Sequence, residues 1–271
     1  MDNKVVAGFG DEWSRFDQTG LSAEELDRMF DNYFNIFPWN KLPPDAVGFD
    51  LGCGSGRWAK LVAPRVGKLH LFDPSEDALS VARRNLAGVA NCEFTLAGAG
   101  KIPLDDESCD FGYSLGVLHH IPDTEAGLRE CVSKLKRGAP FLLYLYYSFD
   151  NRPAWFRAIW QISNVPRRVI CRLPHGLRFL ISQLFAAMVY FPLARIAFFL
   201  EKLGVDVASF PLSQYRNNSF YVMRNDALDR FGTRLEKRFS REEIRAMMER
   251  SGLERFTFST TSFWTAVGYR S

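Results

Sequence analysis

Three glycines at alternate positions follow a short apolar run near residue 50. The run and turn read AVGFDLGCGSGRW, with Gly52, Gly54 and Gly56 in the turn. A glycine turn between a strand and a helix lets the backbone approach a nucleotide closely. The dinucleotide fingerprint G-x-G-x-x-G needs a third glycine where this sequence has Arg57, which counts against NAD. The sequence contains no G-x-x-x-x-G-K-S/T pattern, and this excludes a P-loop.

The next apolar run, LHLFDPS, ends in an acidic residue. This residue, Asp73, lies 21 positions after Gly52. A carboxylate at the end of the second strand can accept hydrogen bonds from two ribose hydroxyls. Asp73 therefore favours a nucleoside ligand without choosing its kind. Asp50 and Asp73 have an alternative role as helix N-caps.

Two of the four histidines, His119 and His120, follow the fourth apolar run. Imidazole can take a proton from a hydroxyl or a carbon acid, so we expect His120 first, and His119 second, to act as a base or to orient a substrate. The alternative is that one ring caps a helix or packs beneath the ligand. No metal site is predicted, because no cysteine or further histidine falls at ligand spacing and Asp123 has a helix-start position.

Short β-rich runs alternate with helical stretches from residue 46 onward, which is typical of a parallel sheet covered on both faces. Strands are predicted in AVGFDL, KLHLFD, CEFTLA, CDFGYSLG and APFLLYLYY, and helices from Arg57, from Pro74 and from Asp123 to Lys136. Connections between parallel strands are nearly always right-handed, so the carboxyl ends of the strands form one crevice. The glycine turn, Asp73 and the histidine pair are expected in that crevice.

The two ends of the chain are predicted to add helices and a hairpin. Ser240 and Glu243 have capping-box spacing and begin a helix. The runs Glu254–Ser259 and Ser262–Tyr269 follow as a hairpin at the sheet edge, and an amphipathic helix is predicted over Leu21–Phe37. The predicted fold class is α/β, a doubly wound, mostly parallel seven-stranded sheet with a helical insertion before the C-terminal helix and β-hairpin.

Three blocks of sequence carry a family resemblance. They are VGFDLGCGSGRWA, LHLFDPS, and KIPLDDESCDFGYSLGVLHHIPD followed by LRECVSKLKRGAPFLLYLY. In order and spacing, these blocks resemble the class I S-adenosylmethionine-dependent methyltransferases, in particular the branch similar to ubiquinone/menaquinone C-methylases. The resemblance implies a Rossmann-like sheet, S-adenosyl-L-methionine as cofactor and methyl transfer as activity. The N/D-P-P-Y/F block of many amino and base N-methyltransferases does not occur after the fourth strand, where SLGVLHH stands.

The resemblance also implies which residues meet the cofactor. Asp50 and the Gly52–Gly56 backbone would face its methionine part, and Asp73 its ribose. The family often has an acid after the third strand, near the adenine, but this sequence has AGAGKIP. Adenine contact is therefore expected from the backbone near residues 98 and 99. Similar methyltransferases close their pockets with an N-terminal cap, so Trp13 and Phe16 are expected either to cover the cofactor or to anchor the segment. The expected contacts are Asp50, Gly52, Cys53, Gly54, Gly56, Asp73, Pro74, Gly98, Ala99, Leu115 and Trp13.

Residues 151–200 contain seven arginines and no Lys, Asp or Glu, so they carry +7 and the remaining chain carries 3 − 7 = −4. Together with many aromatic residues, this predicts a lid for a hydrophobic, anionic acceptor or a peripheral contact with an anionic membrane. Arg167, Arg168 and Arg172 are the expected contributors. The alternative is a helical subdomain that packs on the sheet with solvated arginines.

The apolar run Leu184–Ala194 is bounded by Gln183 and Arg195 and interrupted by Pro192. We expect it to be too short to span a bilayer. Further along the chain, four residues are expected to line the substrate pocket, with surface and capping roles as the alternative; these are Tyr215, Arg216, Tyr221 and Arg224.

Four regions are predicted: an N-terminal helical cap over 1–45, a cofactor-binding α/β core over 46–150, a helical insertion and substrate lid over 151–239, and a C-terminal helix and hairpin over 240–271. The mildly basic composition, with a pI near 8.6, and the lack of a Lys-rich run predict no nucleic-acid partner. Five scattered cysteines without a C-x-x-C pair and the start MDNKVVAGFGDEW predict a cytoplasmic protein, peripheral to a membrane at most.

The function expected from these patterns is methyl transfer to a small, hydrophobic or aromatic molecule. Two alternatives stay open: a lipid-linked or macromolecular acceptor, and a non-catalytic nucleoside-binding protein of the same fold. The sequence does not distinguish methylation of oxygen, nitrogen or carbon, because this fold accepts many substrates.

Overall fold

The computed structural model describes residues 3–150, 152–261 and 263–271. Its helices are α1 Asn3–Arg15, α2 Ala23–Phe34, α3 Ala59–Val62, α4 Glu76–Asn85, α5 Thr124–Lys134, α6 Ala154–Ile170, α7 His175–Phe185, α8 Phe191–Lys202, α9 Phe220–Gly232 and α10 Arg241–Arg250. The chain divides into two compact units. The first comprises the residues up to Gln18, Leu26–Ser148 and Leu235–Ser271, and the second comprises Thr19–Glu25 and Phe149–Arg234.

Within the described residues, the first unit holds one seven-stranded sheet. Its strands are β1 Val47–Leu51, β2 Lys68–Asp73, β3 Cys92–Leu96, β4 Phe111–Leu115, β5 Pro140–Tyr144, β6 Leu253–Phe258 and β7 Thr265–Arg270. Their order is β3-β2-β1-β4-β5-β7-β6. The first five strands are parallel and β7 runs antiparallel to both neighbours. The predicted fold class, a doubly wound sheet closed by a C-terminal hairpin, is therefore confirmed.

The central strands are mostly apolar, as expected for a sheet that is covered on both faces. Phe49 on β1, Phe111 on β4 and Phe141 on β5 are completely buried. A strand buried on both faces reads as a continuous apolar run rather than an alternating one. This packing fixes the carboxyl ends of β1, β2, β4 and β5 as a rigid edge.

Several predicted boundaries shift in the structure. The helix expected from Arg57 begins at Ala59 and has only four residues, because Pro64 follows in a 3-10 turn. The capping box is present, with Glu243 N donating to Ser240 Oγ at 3.1 Å and Ser240 N donating to Glu243 Oε2 at 2.7 Å. Ser262, the predicted start of the last strand, lies outside the described residues, as does residue 151 at the predicted start of the insertion.

The second unit is helical. A core of apolar side chains joins α6, α8 and α9, and Ile181 and Phe185 of α7 pack against it. Its buried members are Ile170, Ala186, Tyr190, Ala194, Met223, Ala227 and Phe231. A π-helical turn, Ala186–Tyr190, links α7 to α8 without a break. The three pieces form one helix of 28 residues, His175–Lys202, called the long helix below.

The long helix corrects the expectation that the apolar run is too short to span a bilayer. Pro192 does not interrupt it, since the wider π-helical turn, in which Phe191 N donates to Ala186 O, leaves room for the proline ring. Gln183 and Arg195, which flank the apolar run in the sequence, lie within the long helix and do not end it. By length and composition alone, this helix could cross a membrane.

The seven arginines of residues 151–200 do not all face solvent. This corrects the expectation that they act together as one positive surface with Arg167 as a contributor. Arg167 is buried and donates to Thr233 O at 2.6 Å, and Arg178 is buried and donates to Gly232 O at 2.8 Å. Both acceptors lie at the C-terminal end of α9, where carbonyl groups lack helical partners and the helix dipole favours a cation. These two arginines therefore stabilise the fold of the second unit.

Candidate functional site

The glycine turn directly follows β1, and all three of its glycines have left-handed backbone conformations. Their φ angles are +79° for Gly52, +53° for Gly54 and +75° for Gly56. A side chain at any of these positions would be strained. A Cβ at Gly52 would also overlap Val117, and one at Gly54 would overlap the Trp13 ring. Glycine is therefore required by both conformation and space.

The amide groups of this turn are used within the protein. Gly52 and Cys53 both donate to the carbonyl of Phe72, at 2.7 and 3.0 Å. Gly54 donates to Asp73 Oδ2 at 3.0 Å. A dinucleotide site instead presents such amides to a pyrophosphate. The turn is thus suited to a nucleoside ligand without phosphate groups.

Asp73 ends β2 and faces the turn. Besides the bond from Gly54, its Oδ1 accepts from Ser75 N at 2.9 Å. Burial raises the pKa of Asp73 to about 6, although the backbone hydrogen bonds from Ser75 and Gly54 oppose the rise. Each carboxylate oxygen keeps further acceptor capacity, so the group can still receive ribose hydroxyls when ionised.

Asp50 lies within β1, next to Leu71 of β2 and Tyr113 of β4. Its Oδ2 is buried without a hydrogen-bond partner, and so is the Tyr113 hydroxyl. Burial raises the pKa of Asp50 to about 8; the neighbouring Tyr113 hydroxyl opposes the rise, without a hydrogen bond of good geometry. An unpartnered buried carboxyl oxygen is costly unless a ligand satisfies it.

Helix α1 covers the turn. Trp13 packs against Gly54, and the Arg57 guanidinium lies over the Trp13 ring, 5.6 Å from its centroid. Phe16 is 1% exposed and anchors the end of the segment. Phe16 thus anchors the segment in the core, as one expectation had it. Trp13 lies at the turn, and its contact with the cofactor stays a prediction.

The histidine pair follows β4 in a 3-10 turn, and a returning segment, Leu235–Phe239, holds it in place. His120 Nδ1 lies 2.6 Å from the carbonyl oxygen of Leu235. Because a carbonyl can only accept, Nδ1 carries the proton, and in the neutral ring the lone pair is on Nε2. Lys237 N donates to His119 O at 3.1 Å. This segment therefore fixes both the orientation and the tautomer of His120, whose ring is buried.

His119 is completely buried, and neither of its ring nitrogens has a hydrogen-bond partner. Its ring centroid lies 3.9 Å from those of His120 and Tyr146. Burial, together with the nearby charges of His120 and Arg238, lowers the pKa of His119 well below its ordinary value. His119 is therefore neutral at physiological pH and packs as an aromatic ring. Among the described residues, no group of three or more His, Cys, Asp or Glu is placed to hold a metal ion.

A chain of half-buried aromatic rings extends from the histidines along the carboxyl ends of β4 and β5. Tyr146 lies 6.0 Å from Tyr144, which lies 5.1 Å from Tyr33 of α2 and 5.4 Å from Phe263. Phe9 of α1 lies 4.9 Å from His120. Sequence reasoning missed these rings, because they come from distant parts of the chain and only the sheet topology brings them together. The run APFLLYLYY at the end of β5 was the available signal.

Four other expected cofactor contacts also lie at strand ends of the first unit. Pro74 follows β2, Leu115 ends β4, and Gly98 and Ala99 come shortly after β3. The sheet therefore brings them to the same edge as the glycine turn. Their contact with adenine or ribose stays a prediction.

The four expected substrate-binding residues belong to the second unit, where their polar groups have internal partners. Arg216 forms a two-pronged ion pair with Glu201, at 2.8 Å for each bond. Arg224 Nε donates to Gln183 Oε1 at 2.6 Å. The other two also have contacts within this unit: Tyr215 packs against Tyr190, and Tyr221 packs against Gly20. Their role in substrate binding stays a prediction.

Comparison with known proteins identifies the glycine-turn region. A family model described as "Methyltransferase domain" matches residues 49–143. The chain carries a class I S-adenosylmethionine-dependent methyltransferase domain. The predicted family and cofactor are confirmed. The matched residues contain β2, β3, β4 and most of β1 and β5, with the glycine turn, Asp73 and both histidines.

Two of the curated relatives are methyltransferases whose names refer to quinones. The chain is 25% identical to a ubiquinone biosynthesis O-methyltransferase of Idiomarina loihiensis, over 56% of this chain and 71% of the relative. It is 33% identical to a demethylmenaquinone methyltransferase of Clavibacter sepedonicus, over 35% of this chain and 38% of the relative. The chain spans between 30% and 71% of the length of these and other curated relatives.

A solved S-adenosylmethionine-dependent methyltransferase from Methanosarcina mazei shares the fold. The match covers 85% of this chain and 95% of the solved chain, with a TM-score of 0.50 and 17% sequence identity. At that identity, the likeness extends to the fold alone.

The residues around the turn fit S-adenosylmethionine, which supplies an activated methyl group when bound. The unpartnered Asp50 Oδ2 can receive the cationic methionine end, Asp73 can accept ribose hydroxyls, and the turn offers no cluster of amides to a phosphate. The fit therefore agrees with the cofactor of the methyltransferase domain.

Proposed function

We propose that this protein transfers the methyl group of S-adenosylmethionine to a small, hydrophobic or aromatic acceptor. The observation that carries this proposal is the position of His120, whose Nδ1 is tied to the Leu235 carbonyl at the end of a chain of half-buried aromatic rings. Flat aromatic acceptors pack well against such rings. The relatives that act in ubiquinone and menaquinone synthesis support the same class.

Methyl transfer from a sulfonium is an in-line displacement, so the protein must align the acceptor atom with the methyl group. In the proposed reaction, Asp50, Asp73 and the glycine turn hold the cofactor. The aromatic rings orient the acceptor and exclude water. His120 Nε2 takes the proton of an acceptor hydroxyl or acidic carbon as the new bond to the methyl carbon forms.

We also propose that residues 151–200 bring the protein into peripheral contact with an anionic membrane, on its cytoplasmic side. Such contact would give access to an acceptor dissolved in lipid. A lipid-linked acceptor therefore stays a second candidate. The large apolar side chains that α6 and the long helix expose favour it over a protein or RNA.

Calorimetry with S-adenosylhomocysteine, the demethylated product, tests the cofactor site. We expect one site per chain and an affinity that falls about tenfold to a hundredfold in Asp73→Asn, since a charge-assisted contact to the ribose is lost. Asp105→Asn, which changes an exposed carboxylate, is the matched control. Binding of NAD without binding of S-adenosylhomocysteine would contradict the proposal.

The acceptor class is tested with radiolabelled S-adenosylmethionine and a panel of phenols and quinols, with peptides and RNA as comparison. Label is expected in the aromatic molecules, and more strongly in those with an aliphatic tail. Label found only in peptide or RNA would remove the small-molecule assignment while leaving the cofactor site intact.

A further inference from the structure

The long helix of the second unit exposes large apolar side chains along its whole length. They recur at intervals of three to five residues and are 41 to 78% exposed; they are Leu177, Leu180, Leu184, Met188, Phe191, Ile196, Phe199 and the adjoining Leu203. Surface helices of globular proteins normally turn such residues inward. A continuous exposed stripe of this kind marks an interaction surface.

Three polar side chains of the same helix point inward, whereas Glu201 and Lys202 at its C-terminal end are exposed. Arg178 and Ser182 are buried, and Arg178 donates to the end of α9. Arg195 donates to Arg216 O at 3.2 Å and to Asn218 O at 2.7 Å. The outer face of the helix is therefore apolar over most of its length, while buried polar groups lie beside the apolar core on the inner face. This arrangement is expected where the outer face meets hydrocarbon.

Helix α6 has a second exposed apolar stripe. Its members are Trp155, Ile159, Ile162, Val165 and Val169, which are 48 to 70% exposed. Their spacing of three or four residues places them on one face of the helix. Two helices of one unit thus expose apolar stripes, and these two stripes are the apolar faces.

Exposed positive charges accompany the apolar faces. Arg157 and Arg168 lie on α6 and Arg172 follows it, all three exposed. No acidic residue occurs between residues 152 and 200. An apolar surface with uncompensated arginines matches the boundary between acyl chains and anionic headgroups, where arginine can extend along apolar surface to reach phosphate.

We infer that the apolar faces dock the protein in the plane of an anionic lipid bilayer, as a monotopic surface rather than a membrane span. This inference rests on the peripheral contact proposed above and assigns its surface. The long helix is too closely tied to α9 to cross the bilayer alone, since Met223 and Ala227 of α9 pack on Ala186 and Tyr190. Helix α9 also carries Arg224, Asp226, Asp229 and Arg230, which would have to enter the hydrocarbon with it.

Flotation of the full chain with vesicles tests this inference. Binding is expected to vesicles of phosphatidylcholine with phosphatidylglycerol, and to weaken at high salt. Met188→Glu with Phe199→Glu, both on the long helix, should reduce the bound fraction at least about tenfold because two charges would enter the acyl region. Leu96→Glu, at a residue 57% exposed on β3, should leave binding unchanged.

The charge contribution is tested with Arg168→Gln and Arg172→Gln together, expected to lower affinity for anionic vesicles by about twentyfold. Arg84→Gln with Arg137→Gln, two exposed arginines of the first unit, removes the same charge and should have little effect. Binding to neutral vesicles that is equally strong would overturn the anionic part of the inference.

Three other outcomes would overturn the docking itself. These are no flotation with either vesicle, equal loss in Leu96→Glu, and a wild-type dimer in solution that Met188→Glu with Phe199→Glu converts to a monomer without any lipid binding. Resistance to extraction by alkaline carbonate would replace docking by a membrane span. S-adenosylhomocysteine binding is measured on every variant and should persist, so failure of the docking is distinguishable from failure of the proposed methyltransferase function.

Discussion

In the first unit, the buried carboxyls Asp50 and Asp73 line a glycine turn, whereas in the second unit the buried Arg167 and Arg178 donate to the end of α9. The carboxyls have raised pKa values, of about 8 and 6, because burial disfavours their charge. The arginines instead meet carbonyl groups that would otherwise lack donors. The buried carboxyls at the turn thus keep acceptor capacity for a ligand, while the buried arginines of the second unit complete the fold.

The outer surfaces differ in the same way. The second unit exposes the apolar faces of α6 and the long helix and keeps several arginines inside. Buried polar side chains do not therefore indicate a binding site by themselves. What distinguishes the turn is that its polar groups remain incompletely satisfied, as at Asp50 Oδ2.

The largest expected effect concerns the histidines of the first unit. His120→Ala should lower turnover at least about a hundredfold if the acceptor must lose a proton, because its base is removed. S-adenosylhomocysteine affinity should stay nearly unchanged. Steady-state assays over a pH series check both points, and the loss should shrink at high pH, where the acceptor ionises without help.

His119→Phe is the matched control for this prediction. The substitution keeps an aromatic ring and removes two buried nitrogens that lack hydrogen-bond partners, so stability should hold or rise. Turnover should remain. A loss of turnover in His119→Phe equal to that of His120→Ala would give the catalytic role to the pair.

A smaller effect is expected in the second unit. Arg178→Leu leaves the Gly232 carbonyl without its donor, so the free energy of unfolding should fall by about 2 to 3 kcal/mol. Urea unfolding measures this change. Affinity for S-adenosylhomocysteine in the folded protein should not change; a large loss would mean that buried charge in this unit also serves the ligand.

A further effect on stability has the opposite sign. The pKa of Asp50 rises from 3.8 to about 8 on folding. The folded state therefore retains a proton that the unfolded state releases, and the stability from this group is complete below pH 4 and lost as the pH rises towards 8. Asp50→Asn has no such loss, so its free energy of unfolding at pH 8 should exceed that of the wild type by at least about 1 kcal/mol.

The same variant should bind S-adenosylhomocysteine more weakly, since the carboxyl that can ionise beside the cationic methionine end is gone. Unfolding at pH 5 and pH 8, together with calorimetry, separates the two effects. A variant that is less stable at pH 8 and binds normally would make Asp50 a structural residue like Arg178.

The sequence predicted the sheet and the glycine turn well because both depend on local patterns. Apolar runs followed by glycine or an acid set β1 and β2, and Ser240 with Glu243 set the start of α10. Those signals need no information about distant contacts.

The remainder depends on tertiary packing. Nothing near Tyr33 or Phe263 indicates that their rings approach each other to 4.9 Å. Arg167 and Arg178 look like solvated charges in sequence, and only the fold shows the carbonyls they meet. Pro192 is usually a helix breaker, but the π-helical turn before it allows the helix to continue.

Cys53 gives the glycine turn a chemical property of its own. Its thiol is 4% exposed, and burial, followed by the charges of Asp73 and Asp50, raises its pKa well above the ordinary value. A neutral thiol that solvent cannot reach does not react with alkylating reagents. Modification of Cys53 therefore requires the turn to open. In the absence of ligand, the labelling rate of Cys53 measures how often the turn opens. A ligand that keeps the turn closed would lower the labelling rate of the Cys53 sulfur.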